Sequence, residues 1–350
     1  MAKQTVTKTL SAVKHTTLAL SLSMSIAAIF SPQLSQAADV TLRYANFPPA
    51  TTIPCIQMDM WVEAMDELTQ GRLAVQTFPA GTLLDAKAML RGIATGQADI
   101  GCTSMLYYPG SFPLFELFGL PLGFTSAAEA SYVVWEIFKA HTPKELSRYK
   151  VLTMFSSGPS QVMSSKPLQS LADLQKITLR AAGSISDGLT AIGGNTVSLP
   201  MSETPEALQK GVVDGVCSSW DTLKDMNYAE DCAYGLVINM PVYPFAVFMN
   251  KNAWDRLPQD IRDVIDAYAD EQVRRAGEYV DQAGATALAW GTAEHNFSLA
   301  HLNEADTQAI KEKVAPLIED WKVRATDRGI DADAVLADVA KFQAQFAAMQ

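Results

Sequence analysis

From Val40 onward the sequence alternates short strand patterns with helical ones, and that alternation restricts it to few folds. Val40 to Ala45 alternates as a strand does and runs into Asn46-Phe47-Pro48-Pro49. Ile56, Met60, Ala64 and Leu68 recur every four residues, a helical stripe. Thr69-Gln70-Gly71-Arg72 stops it, glycine being the usual left-handed terminator. Leu73 to Phe78 reads as a second strand, Asp85 to Thr95 as a helix closed by Gly96, and Ala98 to Cys102 as a short buried strand. This order is what a parallel α/β sheet looks like in sequence. It returns with strands at Lys150 to Phe155 and Ile177 to Arg180, a helix from Ser186 to Ile192, and a strand at Val197 to Pro200. A helix from Thr204 to Lys210 and a strand from Val212 to Cys217 follow. Two α/β units are therefore expected, each large enough to fold as a lobe. Trp254, Leu257, Ile261, Ile265 and Tyr268 form one helical stripe near the end, and Ile310, Val314, Leu317 and Trp321 another. Both read as core-packing faces.

The first 37 residues read as a secretory signal peptide. Lys3, Lys8 and Lys14 make a basic start without an acid, Thr17 to Phe30 is an apolar run, and Ser35-Gln36-Ala37 offers small residues for cleavage after Ala37 or Ala38. The run is too short for the roughly 20 residues a bilayer-spanning helix needs. Export to the periplasm is the expectation. Losing three of the 27 basic residues and none of the 38 acidic ones deepens the net charge from −11 to about −14. A protein so acidic does not bind nucleic acid, which needs clustered Lys and Arg to release counterions. Nor does it cling to an anionic membrane.

Cys55, Cys102, Cys217 and Cys232 form no Cys-x-x-Cys, so neither zinc nor thioredoxin spacing is met. An oxidising compartment permits disulfides, and their places in the sequence suggest two local pairs, Cys55 with Cys102 and Cys217 with Cys232. Buried free thiols are the competing reading. Catalysis finds little support. His295 and His301 are six apart, Ser156 to Ser160 is no nucleophile elbow, and no phosphate-cradling glycine motif occurs. Asp99, Asp214 and Asp221 lie near strand ends and read as helix caps. No enzyme activity, cofactor or metal is expected, an exported hydrolase being the remote alternative.

Several segments carry a resemblance. Thr69 to Val75, Phe78-Pro79-Ala80-Gly81-Thr82-Leu83 and Gly96 to Ile100 resemble the first lobe of DctP-type substrate-binding proteins, solute-binding protein family 7. These are the receptors of tripartite ATP-independent periplasmic (TRAP) transporters. Phe112 to Phe115 with Leu120 to Phe124, Leu171 to Arg180, and Ser202 to Gly215 resemble it in the same order, so the likeness spans roughly residues 39 to 320. It implies an α/β periplasmic-binding-protein clamshell, each lobe a sheet with helices, joined by crossing strands and a long helix. Residues 38–157 and 244–283 would form one lobe, 158–243 and 284–320 the other, and 321–350 a helical tail. The implied function is capture of a small organic acid by hinge closure and its delivery, as a monomer, to the small and large permease subunits. A receptor of this fold serving an ATP-driven importer or a sensor kinase is the alternative.

The resemblance also implies a carboxylate-binding arginine after a strand of the second lobe, and Arg180 matches it. A guanidinium's paired N–H groups suit a carboxylate's two oxygens. Members that bind sialic acid carry a second arginine where this protein has Ser160, and an asparagine where it has Ser218. Ligands of open α/β sheets gather outside the carboxyl ends of strands. Phe47, Tyr107, Phe155, Trp220, Tyr243 and Phe245 crowd those ends, with Thr103 and Ser218 as hydrogen-bonding candidates. The expected ligand is a monocarboxylate with an aromatic or branched body, an amino or keto acid included, rather than a sugar acid.

Overall fold

The computed structural model describes residues 38–350, so the basic start, the apolar run and the cleavage site lie outside the described residues. Its strands, in sequence order, are Val40–Asn46 (β1), Leu73–Phe78 (β2), Ile100–Ser104 (β3), Tyr149–Ser156 (β4) and Ser160–Ser164 (β5). Thr178–Ala181 (β6), Asn195–Ser198 (β7), Gly215–Ser218 (β8), Tyr234–Met240 (β9), Pro244–Asn250 (β10) and Ser298–His301 (β11) follow. They form two sheets. One has the order β2-β1-β3-β10-β4, the other β11-β9-β5-β8-β6-β7. In the first, β1 pairs in parallel with β2 and β3, and β10 is antiparallel to β3 and β4. In the second, β6 runs parallel to β7 and β8 while β5 is antiparallel to β8 and β9. These are the two lobes of a clamshell.

Three passages of the backbone link them. β4 of the first sheet leads within four residues to β5 of the second, and β9 of the second leads as briefly into β10 of the first. The third is the helix Gln259–Glu294, 36 residues without a break. It packs on the helices Ile53–Leu68 and Ala127–Ala140 at one end and on Thr222–Asp225 at the other. Near its middle Asp281 accepts the N–H groups of Ala127 and Ala128, which the first turn of Ala127–Ala140 leaves without partners. Among the described residues no helix is long and apolar enough to cross a membrane.

The sequence stripes need adjusting in two places. Trp254 belongs to the short helix Lys251–Asp255, and Pro258 separates it from Ile261 and Ile265 on the long helix. The boundary at residue 321 falls inside the helix Glu304–Asp327, where Trp321 is fully buried and donates to the carbonyl of Pro113 at 2.7 Å. The last helix, Ala332–Met349, packs on Ala127–Ala140. The C-terminal residues are thus fastened to the lobes.

Gly215 shows why the Asp214-Gly215 pair stands where it does. A Cβ there would meet the carbonyl oxygen of Met163 at 2.3 Å and the Cα of Ser164 at 2.9 Å. β8 can lie against β5 only with glycine at that position. Asp214 does not cap a helix: it accepts the N–H of Thr178 and pairs with Lys166, tying β6 to the start of β8. Asp99 likewise binds the backbone and guanidinium of Arg43.

The four cysteines correct the disulfide expectation: all are free and buried. The Cys55 thiol donates to the carbonyl of Pro48 at 3.3 Å, and burial pushes it up to about 12. Cys102 is held well above the ordinary range, chiefly by burial and further by a charge on Cys55. Burial likewise raises Cys217 and Cys232 to about 12. Thiolates, not thiols, form disulfides, so all four are chemically quiet at neutral pH.

Two outcomes follow from this packing. Protein prepared from periplasm and denatured in alkylating reagent without reductant should show four modified thiols by intact mass; fewer would restore a bridge. Gly215→Ala should cost at least ~2 kcal/mol in urea unfolding, the range of overpacked or strained core positions, and an unchanged midpoint would contradict the close approach of β8 to β5.

Candidate functional site

Several of the strand ends named from sequence converge on one cavity between the two sheets, about 30 Å³ in volume. The first lobe supplies Ile53 and Pro54 from a helix start, Tyr107 after β3, Phe155, Ser156 and Ser157 at the end of β4, and Phe245 on β10. The second supplies Arg180 on β6, Met201, and Ser218, Ser219, Asp221 and Thr222 at and after the end of β8. Tyr243, in the crossing between β9 and β10, completes the wall with Val280 of the long helix.

Arg180 is 2% exposed. Its Nε donates to the carbonyl of Leu199 at 2.8 Å and one terminal nitrogen donates to the Tyr107 hydroxyl at 3.4 Å. Its carbon centre sits 5.7 Å from the Tyr243 ring. No carboxylate lies within salt-bridge distance among the described residues, so a carbonyl, a phenol and an aromatic face are what surround the charge. Burying a cation without an ionised partner is costly, and a bidentate anion is the natural complement. Tyr107 also accepts the N–H of Met201 at 3.1 Å, so one phenol from the first lobe binds two groups of the second. The Tyr243 hydroxyl accepts the N–H of Ala182 and donates to the carbonyl of Cys217, while its backbone N–H is held by Ser157.

Six of the nine residues named from sequence line this cavity: Arg180, Ser218, Tyr107, Phe155, Tyr243 and Phe245. Phe155 and Phe245 face each other across β4 and β10 and stack with centroids 5.2 Å apart and planes 8° apart. The structure places the other three outside it. Phe47 is buried behind Tyr107, edge-on at 5.6 Å. Thr103 is fully buried with its hydroxyl 3.3 Å from that of Tyr108. Trp220 turns its ring onto Phe297 at 5.9 Å, beside Gly284 of the long helix. Ser160 is buried, and its hydroxyl has no hydrogen-bond partner. Strand ends were legible, but which way each side chain turns was not.

Asp221, like Asp99 and Asp214, reads from sequence as a helix cap and is not one. It stands at the start of the helix Thr222–Asp225, yet its side chain makes no cap bond. It is 5% exposed, lines the cavity, and its Oδ1 has no hydrogen-bond partner. Burial raises its carboxyl to about 6, with Asp281 adding to the shift and Ser219 opposing it. Asp225, half-buried beside it, is raised to about 7 by burial and by the charge of Asp221. Other contacts also bridge the lobes: Thr51 donates to the carbonyl of Asp225, Ser184 to that of Glu116, and Lys87 pairs with Glu203 at 2.7 Å.

Comparison with known proteins decides the family. Residues 44–323 match the model of the bacterial extracellular solute-binding protein family 7 (DctP). The chain belongs to this family. It is 26% identical over 208 residues to the C4-dicarboxylate-binding periplasmic protein DctP of Vibrio cholerae, a match covering 57% of this chain and 61% of that protein, or under two thirds of its length. A TRAP periplasmic solute-binding protein from Desulfovibrio salexigens, solved as an open complex with the C-terminus of a symmetry mate in its ligand-binding site, is 48% identical. That likeness covers 88% of this chain and 97% of that one with a TM-score of 0.79. A marine metagenome TRAP protein specific for aromatic acid ligands, in complex with 3-hydroxybenzoate, is 25% identical, with 88% and 99% covered and a TM-score of 0.83. Family 7 receptors share the two-lobed clamshell seen here.

Asp221 and Asp225 give a pH signature. Unfolded carboxyls titrate near pH ~4, whereas these two titrate at about 6 and 7 in the folded protein. Between those limits the native state holds protons that the unfolded polypeptide has released, so stability falls as pH rises. Urea unfolding of ligand-free protein should show a higher midpoint at pH 5 than at pH 7.5, and Asp221→Asn should shrink the difference. A flat profile would mean the two groups are not buried as described.

Proposed function

We propose that this protein is the extracytoplasmic receptor of a TRAP-type transporter, which captures a small organic acid in the cleft and presents it to the small and large membrane subunits. The single observation that carries the reading is Arg180. A buried guanidinium, without a carboxylate partner among the described residues, faces a cavity between two lobes that can close on a ligand. Arg180 is the carboxylate anchor in this reading, and Tyr107 steadies it from the opposite lobe. The Desulfovibrio salexigens relative supports it, because the C-terminus of any polypeptide bears a carboxylate and one sits in that protein's ligand site.

The stacked Phe155 and Phe245 with Tyr243 make an apolar wall, and Ser218 and Ser219 supply hydroxyls. That inventory favours a monocarboxylate with an aromatic or branched body, amino and keto acids included. An added carboxylate would find no second cation on the wall, and burying it unpaired costs more than the ~0.5–1.5 kcal/mol an aromatic contact adds beyond its area. The marine relative's preference for aromatic acids agrees with this choice. Contacts such as Thr51 to Asp225 and Lys87 to Glu203 would break when the lobes part and form again when a ligand is enclosed.

A thermal-shift screen of several hundred carboxylates should identify the ligand, since saturation at 100 times the dissociation constant adds ~2.7 kcal/mol of stability. Calorimetry on the hit then tests the anchor. Arg180→Ala should weaken binding at least 100-fold, and Arg180→Lys at least 10-fold, because an ammonium has no fork. Both variants within threefold of the parent would overturn the assignment of Arg180, and a C4-dicarboxylate or a uronate as the tightest ligand would overturn the reading of the wall.

A further inference from the structure

The cavity holds a second charged group whose surroundings are the opposite of what it needs. Asp221 is only 5% exposed, and its Oδ1 reaches no donor. Asp and Asn at a helix start usually bind the N–H groups of the first turn, but here the side chain makes no cap bond. The charged and titratable groups around it offer little relief. On its own helix Asp225 is another acid, and Lys224 is exposed. On the long helix Asp281 and Tyr279 face it, and Asp281 is satisfied by Ala127 and Ala128. Behind it Ser219 supplies a hydroxyl. Across the cavity Arg180 sits on β6, paired with Val216 of the strand that leads to Asp221. No salt bridge involves Asp221 among the described residues, and no group of three or more metal-binding side chains occurs there.

A buried carboxylate with an unmade hydrogen bond destabilises the protein unless something bound supplies the donor. Resting on the proposed function above, we infer that Asp221 accepts a hydrogen bond from the bound acid, so that the ligand carries an ammonium, hydroxyl or amide N–H besides its carboxylate. Arg180 takes the anionic end and Asp221 takes the donor end. Phe155, Phe245 and Tyr243 contact the carbon body, and Val280 bounds it from the long helix. Discrimination is then large, because an acid lacking the donor leaves the same oxygen unpaired inside a closed cleft. Sites built to bond one polar group reject analogues that lack it far better than they reject an extra methylene.

Matched pairs of acids test this on the mature protein by titration calorimetry: phenylalanine against 3-phenylpropionate, 3-hydroxybenzoate against benzoate, and leucine against 4-methylpentanoate. In at least one pair the donor-bearing acid should bind at least 10-fold more tightly. Asp221→Ala should bring that pair within threefold of each other, by weakening the donor-bearing member at least threefold. Asp221→Asn, closer in shape, does the same for an ammonium donor and serves if the alanine variant does not fold. A donor-less acid that binds as tightly as its partner, and depends on Arg180 but not on Asp221, overturns this inference and leaves the receptor reading standing. Binding by none of the six overturns the aromatic-or-branched reading together with it.

Discussion

The buried guanidinium of Arg180 is the constraint around which the two lobes are arranged. A positive charge taken from water costs several kcal/mol even after relaxation, and the protein meets that cost only with weak complements: one carbonyl, one phenol and one ring face. Each comes from a different part of the sequence. Leu199 follows β7, Tyr107 follows β3 of the other sheet, and Tyr243 lies in a crossing between sheets. Holding one side chain therefore positions both lobes and one of their connections. The same deficit of negative charge is what suits the cavity to an anion in the proposed reading, in a molecule whose overall charge is strongly negative. A local desolvated charge outweighs a distant, screened field.

Tyr243 couples the site to the framework. Its ring faces Arg180, its hydroxyl links β6 to β8 through Ala182 and Cys217, and its backbone is bound by Ser156 and Ser157 at the end of β4. The two short crossings thus touch each other beside the cavity. Asp221 extends the pattern: a charge whose local partners are missing, on the loop that also carries Ser219.

Much of this was readable from residue order alone. The alternation of strands and helices pointed to both sheets, because periodicity records which faces are buried. Asp214-Gly215 was readable as a motif because Gly215 has no room for a Cβ. Arg180 was singled out through the resemblance, since an arginine at a strand end taken alone usually makes a surface ion pair. What escaped depended on rotation and on distance. Trp220 and Phe47 sit at strand ends but turn toward Phe297 and Tyr107. Asp221 has a capping residue's position without its bond. By periodicity the long helix showed only the end of one stripe, Ile261, Ile265 and Tyr268, because much of its surface is polar and its burial comes from contacts with residues far away in sequence. The cysteines stayed ambiguous because spacing says nothing of how deeply a thiol is buried.

The unbroken helix Gln259–Glu294 has a mechanical consequence. At ~1.5 Å per residue it is a rod of roughly 54 Å, seated on both lobes and pinned near its centre by Asp281. The helix carries no proline, so a rotation of the lobes would flex it while the short crossings absorb the change in backbone angle. Bending a helix stores energy gradually and returns it, as a leaf spring does. In the proposed reading, where the lobes close on a ligand, the bent helix would act as an elastic restoring force, and residues on it far from the cavity would tune how tightly the ligand is held.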